Sequence, residues 1–391
     1  MGKPKEMNAL DEVRKLIAIR SVTGEEAAIA RYLEARLADM GCSTMIFEAG
    51  PGRFNVYAQY GGDPLAAPGL LFHAHMDTVP PHGMESPFEP REEEGQIYGR
   101  GSVDQKGGIA AALSALREAI ASGRGLSKPV ALVCVIDEES EHRGSMALKE
   151  MGIRAEFGVI TEPTGLKLGI GCKGTAPILL HVKGKAAHGC RPWLGENAVL
   201  AGMDLARILL EEEMPAKTLP GIGEVRGSLN LGKMDGGRAY NIVADTCDIW
   251  FDRRLIPGET QRDILAHFRE TIASYKARPG VSVSAEIARP DWNWEPIKRR
   301  GLLPALTDMG SRVIDSLKEA HRSVTGKDPT LFFTDGYQEM DFLVNDLGIN
   351  AVQYGPGDSS LCHTDNEHLD IGQLGQCARV YSRMIELLCG K

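Results

Sequence analysis

The chain has 391 residues, a formal net charge of −9 at pH 7, 43% hydrophobic and 25% charged residues. That is enough for two ordinary domains, and the balance is that of a globular protein, which argues against disorder. No apolar stretch is long enough to span a bilayer, no basic run points to nucleic acid, and Met1–Asn8 lacks the apolar core of a secretory leader.

In chain order, Leu10–Ile19 has helical spacing, and Thr23 is expected to cap a second helix from about Glu25 to Met40. Strand-like runs follow at Thr44–Phe47, Asn55–Tyr60 and Gly69–His73. Residues 107–121 read as a buried helix whose small residues face something close. Val130–Ile136 and Phe157–Ile160 are apolar throughout, as strands covered on both faces are. Helices alternating with such strands predict an α/β fold with a mostly parallel sheet.

The pattern changes after Lys173. A strand over 175–183, a helix from about Asn197 to Glu212, and strands near Ser228–Leu231 and Thr246–Phe251 come next. A helix from Thr260 to Ala277 and a strand at Val281–Ile287 complete a β-α-β-β-α-β order. The expected organisation is a discontinuous α/β domain, 1–174 and 290–391. An inserted two-layer α+β domain at 175–289 interrupts it.

Acidic and His residues gather at the expected strand ends, where ligands of open α/β sheets bind. His75 and Asp77 come first, and a strand would put them on one face. Asp104 sits in the glycine-rich loop Gly99–Gly108; such an Asp either caps a helix or bridges two cations. Asp137-Glu138-Glu139 follows a buried strand, where adjacent carboxylates repel one another. Glu162 follows the next strand, and His363 lies near the C-terminus. Each segment alone also fits a solvated loop; five together point to a shared metal site.

These motifs are similar, in number and order, to those of the M20 family of metallopeptidases and deacylases. H-x-D-x-V-P is His75–Pro80, G-R-G-x-x-D-x-K-G is Gly99–Gly107, and D-E-E is Asp137–Glu139. E-P-T is Glu162–Thr164, G-P-G is Gly355–Gly357, and H-T-x-N-E is His363–Glu367. The resemblance implies that 1–174 and 290–391 form the catalytic, metal-binding domain, that 175–289 is a lid or dimerisation domain, and that two divalent metal ions are held, zinc first and cobalt or manganese as alternatives. His75 and Glu162 would hold one, Glu139 and His363 the other, and Asp104 both. It makes Glu138 the general base, Asp77 the residue that orients His75, and His188 a donor to the oxyanion across a homodimer. Asn241 and Arg254 would contact the substrate, Arg254 through a carboxylate. The implied activity is hydrolysis of an amide in a small carboxylate-bearing substrate, foremost an N-acyl amino acid. A dipeptidase or carboxypeptidase, or an aminohydrolase of non-peptide C–N bonds, stays open, and a non-catalytic binding protein is disfavoured because every expected position is filled. Residues 337–341 fit no branch of the family. Eight cysteines without a CxxC pair fit reduced thiols in the cytoplasm.

Overall fold

The computed structural model of the chain describes residues 8–61, 66–275, 279–289 and 292–391. It separates into two compact units. One comprises residues up to Gly171, Leu306–Phe333 and Glu339–Lys391; the other comprises Cys172–Ala305 and Thr334–Gln338. The second unit thus runs past the expected limit at 289 and takes in part of the 337–341 stretch.

The first unit is built on a nine-stranded mixed sheet. Its centre is parallel: Val130–Val135, Leu70–His75, Phe157–Ile160 and Asn350–Gln353 lie side by side in that order. Ser43–Gly50 and Arg53–Tyr60 add an antiparallel edge. Every residue of Leu70–His75 and of Val130–Val135 is buried, as continuous apolar runs require. The α/β expectation therefore holds, with the parallel strands at the middle of the sheet.

Helix Gly107–Ala121 packs close because its first residues are glycines. A Cβ on Gly108 would overlap both the main chain and the side chain of Thr161, at the end of a central strand. Thr23 differs from expectation. Helix Ala27–Asp39 starts after Glu26 with no side-chain cap, and the Thr23 hydroxyl donates instead to the Asp77 carboxylate at 2.9 Å.

The second unit holds an antiparallel four-stranded sheet in the order Ser228–Gly236, Thr246–Leu255, Gly174–Lys183, Ser282–Ile287. Ala176, Ile178, Leu180 and Val182 alternate onto one face. There they pack with residues of helices Ala198–Glu211 and Gln261–Ser274. A hairpin of Ala216–Leu219 and Gly223–Arg226, absent from the sequence expectation, precedes Ser228–Gly236. Helix Gln261–Ser274 opens on a Thr260–Asp263 capping box; its expected end, Ala277, lies outside the described residues. Among the described residues no helix is long and apolar enough to cross a membrane.

Replacing Gly108 by Ala should lower the unfolding free energy by about 1–3 kcal/mol, the usual cost of overpacking. Denaturant melts of the two proteins measure this; equal stability would show that the helix does not approach Thr161 this closely.

Candidate metal centre

The four central strands all deliver polar residues at one end. His75 is the last residue of Leu70–His75, with Asp77 two residues beyond. Glu138 and Glu139 follow Val130–Val135, Glu162 follows Phe157–Ile160, and His363 lies in the loop after Asn350–Gln353. Asp104 enters from the loop ahead of helix Gly107–Ala121.

Two sets of three ligand atoms lie within 4.8 Å of one another: His75, Asp104, Glu162 and Asp104, Glu139, His363. Asp104 belongs to both. Its Oδ1 lies 3.0 Å from His75 Nε2, and its Oδ2 lies 3.3 Å from His363 Nε2. The two oxygens of one carboxylate thus face two different imidazoles. Glu162 Oε1 is 3.8 Å from His75 Nε2, and Glu139 Oε2 is 3.1 Å from His363 Nε2. A third set, His75, Glu138 and Glu139, also converges, so proximity alone does not separate Glu138 from the ligands.

The donor set fits divalent cations. It offers imidazole nitrogens and carboxylate oxygens, the mix that zinc, cobalt and manganese accept. His75 is turned for this task. Its Nδ1 lies 3.0 Å from the main-chain carbonyl of Asp77 and can donate to it, which leaves Nε2 facing Asp104 and Glu162. The Asp77 carboxylate is farther, at 3.6 Å. It is occupied elsewhere, accepting the Glu138 N–H at 3.1 Å, the Glu139 N–H at 3.2 Å and the Thr23 hydroxyl. Asp77 therefore anchors the Glu138–Glu139 turn as well as lying next to His75.

Two further residues shape the site, and sequence reasoning gave neither a role. Glu367 is fully buried and accepts from Arg100 Nη1 at 2.7 Å and from the main-chain N–H groups of Gly101, Val103 and Asp104 at 3.0, 2.9 and 3.1 Å. It fixes the loop that presents Asp104. The motif ending at Glu367 was the available signal. Gln105 donates to Glu162 Oε1 at 2.6 Å and accepts from Thr161 Oγ1 at 2.6 Å, which orients Glu162. Glu339, inside the unassigned stretch, is buried behind the site and lies 3.0 Å from His142 Nδ1.

The remaining candidates lie in the second unit. His188 is exposed, and its Nδ1 accepts the Cys190 N–H at 3.1 Å. The exposed Asn241 is on the neighbouring segment, its carbonyl accepting the Gly189 N–H at 2.7 Å. Arg254 is partly exposed and pairs with Asp252 at 3.0 Å. Arg253 turns to the opposite, buried face and pairs with Glu259, as strand alternation predicts.

Crowded carboxylates shift one another's titration. Burial raises Glu138 well above its ordinary value; His75 pulls it down, and the negative charges of Glu139 and Glu162 push it further up. Burial and the charge of Asp104 push Glu162 up to about 8. Burial opposes Asp104 too, but hydrogen bonds from His363 and His75 hold it below the usual carboxylate range. Hydrogen bonds to Asp104 and Glu139 raise His363 to about 10. In the cation-free protein Glu162 and His363 therefore carry protons at pH 7. A cation needs both groups bare, so binding must release protons, and affinity must fall as pH falls through these values. Zinc added to chelator-stripped protein in weak buffer at pH 7 should release at least about two protons per chain, because, against its burial, hydrogen bonds to Asp104 and Asp77 hold the ligand His75 well above its ordinary value too. Release near zero would contradict the proposed ligand set.

The sequence matches peptidase family M20/M25/M40 over residues 71–387. The chain is 29% identical over 374 residues to acetylornithine deacetylase of Myxococcus xanthus, covering 92% of this chain and 91% of that protein. It is 28% identical over 388 residues to a probable carboxypeptidase of Aspergillus clavatus, covering 95% and 87%. The fold resembles that of the aminopeptidase PepT from Bacillus cereus, with a TM-score of 0.79 at 22% identity over 97% of this chain and 98% of that one. The chain thus belongs to the M20/M25/M40 peptidase family and, as a member, is a metal-dependent hydrolase.

Proposed function

We propose that the protein is a dinuclear N-acyl amino acid deacylase, cleaving the amide of a small substrate that carries a carboxylate. The observation that carries this reading is the pair of ligand sets sharing Asp104. His75 and Glu162 would hold one cation, Glu139 and His363 the other, and Asp104 both. Zinc is the first choice, with cobalt or manganese as alternatives. The cations would supply the positive charge that acidifies water and polarises the scissile carbonyl.

The remaining work falls to the chain's own groups. Glu138 stands beside the ligands, its carboxylate avid for protons. It takes a proton from the attacking water and passes it to the leaving amine nitrogen as the C–N bond breaks. Asp77 holds the Glu138–Glu139 turn in place through both of its N–H groups. His188 accepts a main-chain N–H at Nδ1, so the neutral ring carries its proton on Nε2 and can donate to an oxyanion. Arg254 would pair with the substrate carboxylate, and the Asn241 amide would hydrogen-bond next to it.

A homodimer is part of the proposal. The second unit exposes the large apolar side chains of Trp193, Leu200, Met203, Leu210, Tyr240 and Ile242, of the kind that self-association buries. Eight unpaired cysteines suit a reducing, cytoplasmic setting. The second unit would serve as the lid or dimerisation domain and the first as the catalytic domain.

The test is turnover of N-acyl amino acids, dipeptides and non-peptide amides by the zinc-loaded protein, with and without chelator. N-acyl amino acids should be cleaved best, and the chelator should abolish cleavage. Glu138→Gln should lower turnover by at least about 10²–10⁴-fold with metal content unchanged. His188→Ala should lower kcat by about 10²–10³-fold. Preferred cleavage of dipeptides would move the reading to a peptidase, and full activity in Glu138→Gln would remove the assigned base.

A further inference from the structure

The loop from Asp137 to His142 carries both Glu138 and Glu139, and its backbone is strained at both ends. Asp137 has φ 69° and His142 has φ 55°, the left-handed region that residues other than glycine keep only when their surroundings hold them. The Asp137 carbonyl closes the loop by accepting the His142 N–H at 2.7 Å. At the first end the Asp137 carboxylate meets Arg53 at 2.8 Å, and Asp77 accepts the N–H groups of Glu138 and Glu139.

A distant part of the first unit reaches the last end. His142 Nδ1 lies 3.0 Å from Glu339 Oε1, and the His142 and Phe342 ring centres are 5.9 Å apart. His142 and Glu339 are both buried. The short helix Arg143–Ala147 continues from His142, and its Ser145 hydroxyl lies 3.0 Å from Nε2 of His73, on the strand that ends at His75. The second oxygen of Glu339, Oε2, forms no hydrogen bond among the described residues and stands 3.7 Å from His73 Nε2. A further carboxylate buried behind a cluster of carboxylates is costly. Burial above all raises Glu138 and Glu162, and the charge of Glu339 adds to that rise. What this carboxylate supplies in return is its bond to His142.

We propose that Glu339 is a positioning residue for the hydrolysis: through His142 it holds the loop 137–142 so that Glu138 and Glu139 stay converged on His75. The proposal rests on the reading of Glu138 as base and Glu139 as ligand. It gives a role to a residue of the stretch that fits no branch of the family. The carboxylate accepts, so Nδ1 of His142 carries a proton and the bond pins the ring. Without the acceptor His142 can leave its left-handed conformation, and the loop relaxes. A misplacement of about 1 Å at a reacting group can lower turnover by about 10²-fold. A Glu339 that only filled space would affect stability and leave kcat alone.

Amide hydrogen exchange of the cation-free protein reads the loop, and steady-state kinetics of the zinc-loaded protein on its best amide substrate read the consequence. A melting curve accompanies every variant. Glu339→Leu removes the acceptor at similar volume. It should speed exchange across residues 137–144 about tenfold and lower kcat about 10–100-fold, with KM changed by less than about threefold. Glu339→Gln removes the charge, keeps an acceptor for Nδ1, and should retain most of the wild-type kcat and protection. His142→Phe should match Glu339→Leu, and the two changes together should cost little more than either alone. That paired variant leaves neither partner orphaned and serves as the test if Glu339→Leu does not fold. Wild-type kcat or wild-type exchange in folded Glu339→Leu, or an equal loss in Glu339→Gln, would overturn the proposal. A lowered kcat in Glu339→Leu beside full activity in Glu138→Gln would keep the tether and defeat the assigned base. Full activity in Glu339→Leu beside an inactive Glu138→Gln would do the reverse.

Discussion

Four carboxylates and two imidazoles are confined at the ends of four neighbouring strands, and this confinement of charge is the constraint on which the site depends. Glu138, Glu139 and Glu162 are each raised by burial and by negative neighbours. Asp104 alone is held low, because both of its oxygens face imidazoles. Protons satisfy this arrangement only in part. Two divalent cations would satisfy it fully, one on each side of Asp104. The same charge that makes the empty cluster unfavourable is what gives it affinity for metal.

Such a cluster forms only if the scaffold is rigid, and the supporting contacts are buried. Glu367 gathers one guanidinium and three main-chain N–H groups around the Asp104 loop. Asp77 gathers the Glu138–Glu139 turn and Thr23. Gln105 positions Glu162. Breaking a buried charged pair such as Arg100–Glu367 typically costs about 3–5 kcal/mol, because the remaining charge is left unmatched. The glycines at 107 and 108 let helix Gly107–Ala121 approach closely enough to bring Asp104 over the strand ends.

Much of this was legible in the residues. Buried parallel strands announce themselves as unbroken apolar runs, and the residues just past them are the ones a cation would meet. Strand alternation alone puts Arg253 and Arg254 on opposite faces, and the structure has the first buried and the second partly exposed. Other features were hidden because their partners are distant in sequence. Glu367 acts on residues more than 260 positions away, and Thr23 reads as a helix cap until its bond to Asp77, 54 residues on, is seen. The hairpin at 216–226 is mostly exposed, so it carries no strong apolar pattern to read.

The central claim is that Asp104 is shared between two cations, and metal content after equilibrium dialysis against dilute zinc tests it most directly. The account predicts about two ions per chain in the wild type, about one in Glu162→Gln, and fewer than one in folded Asp104→Asn, since that change weakens both positions together. Two ions retained by Asp104→Asn would contradict it.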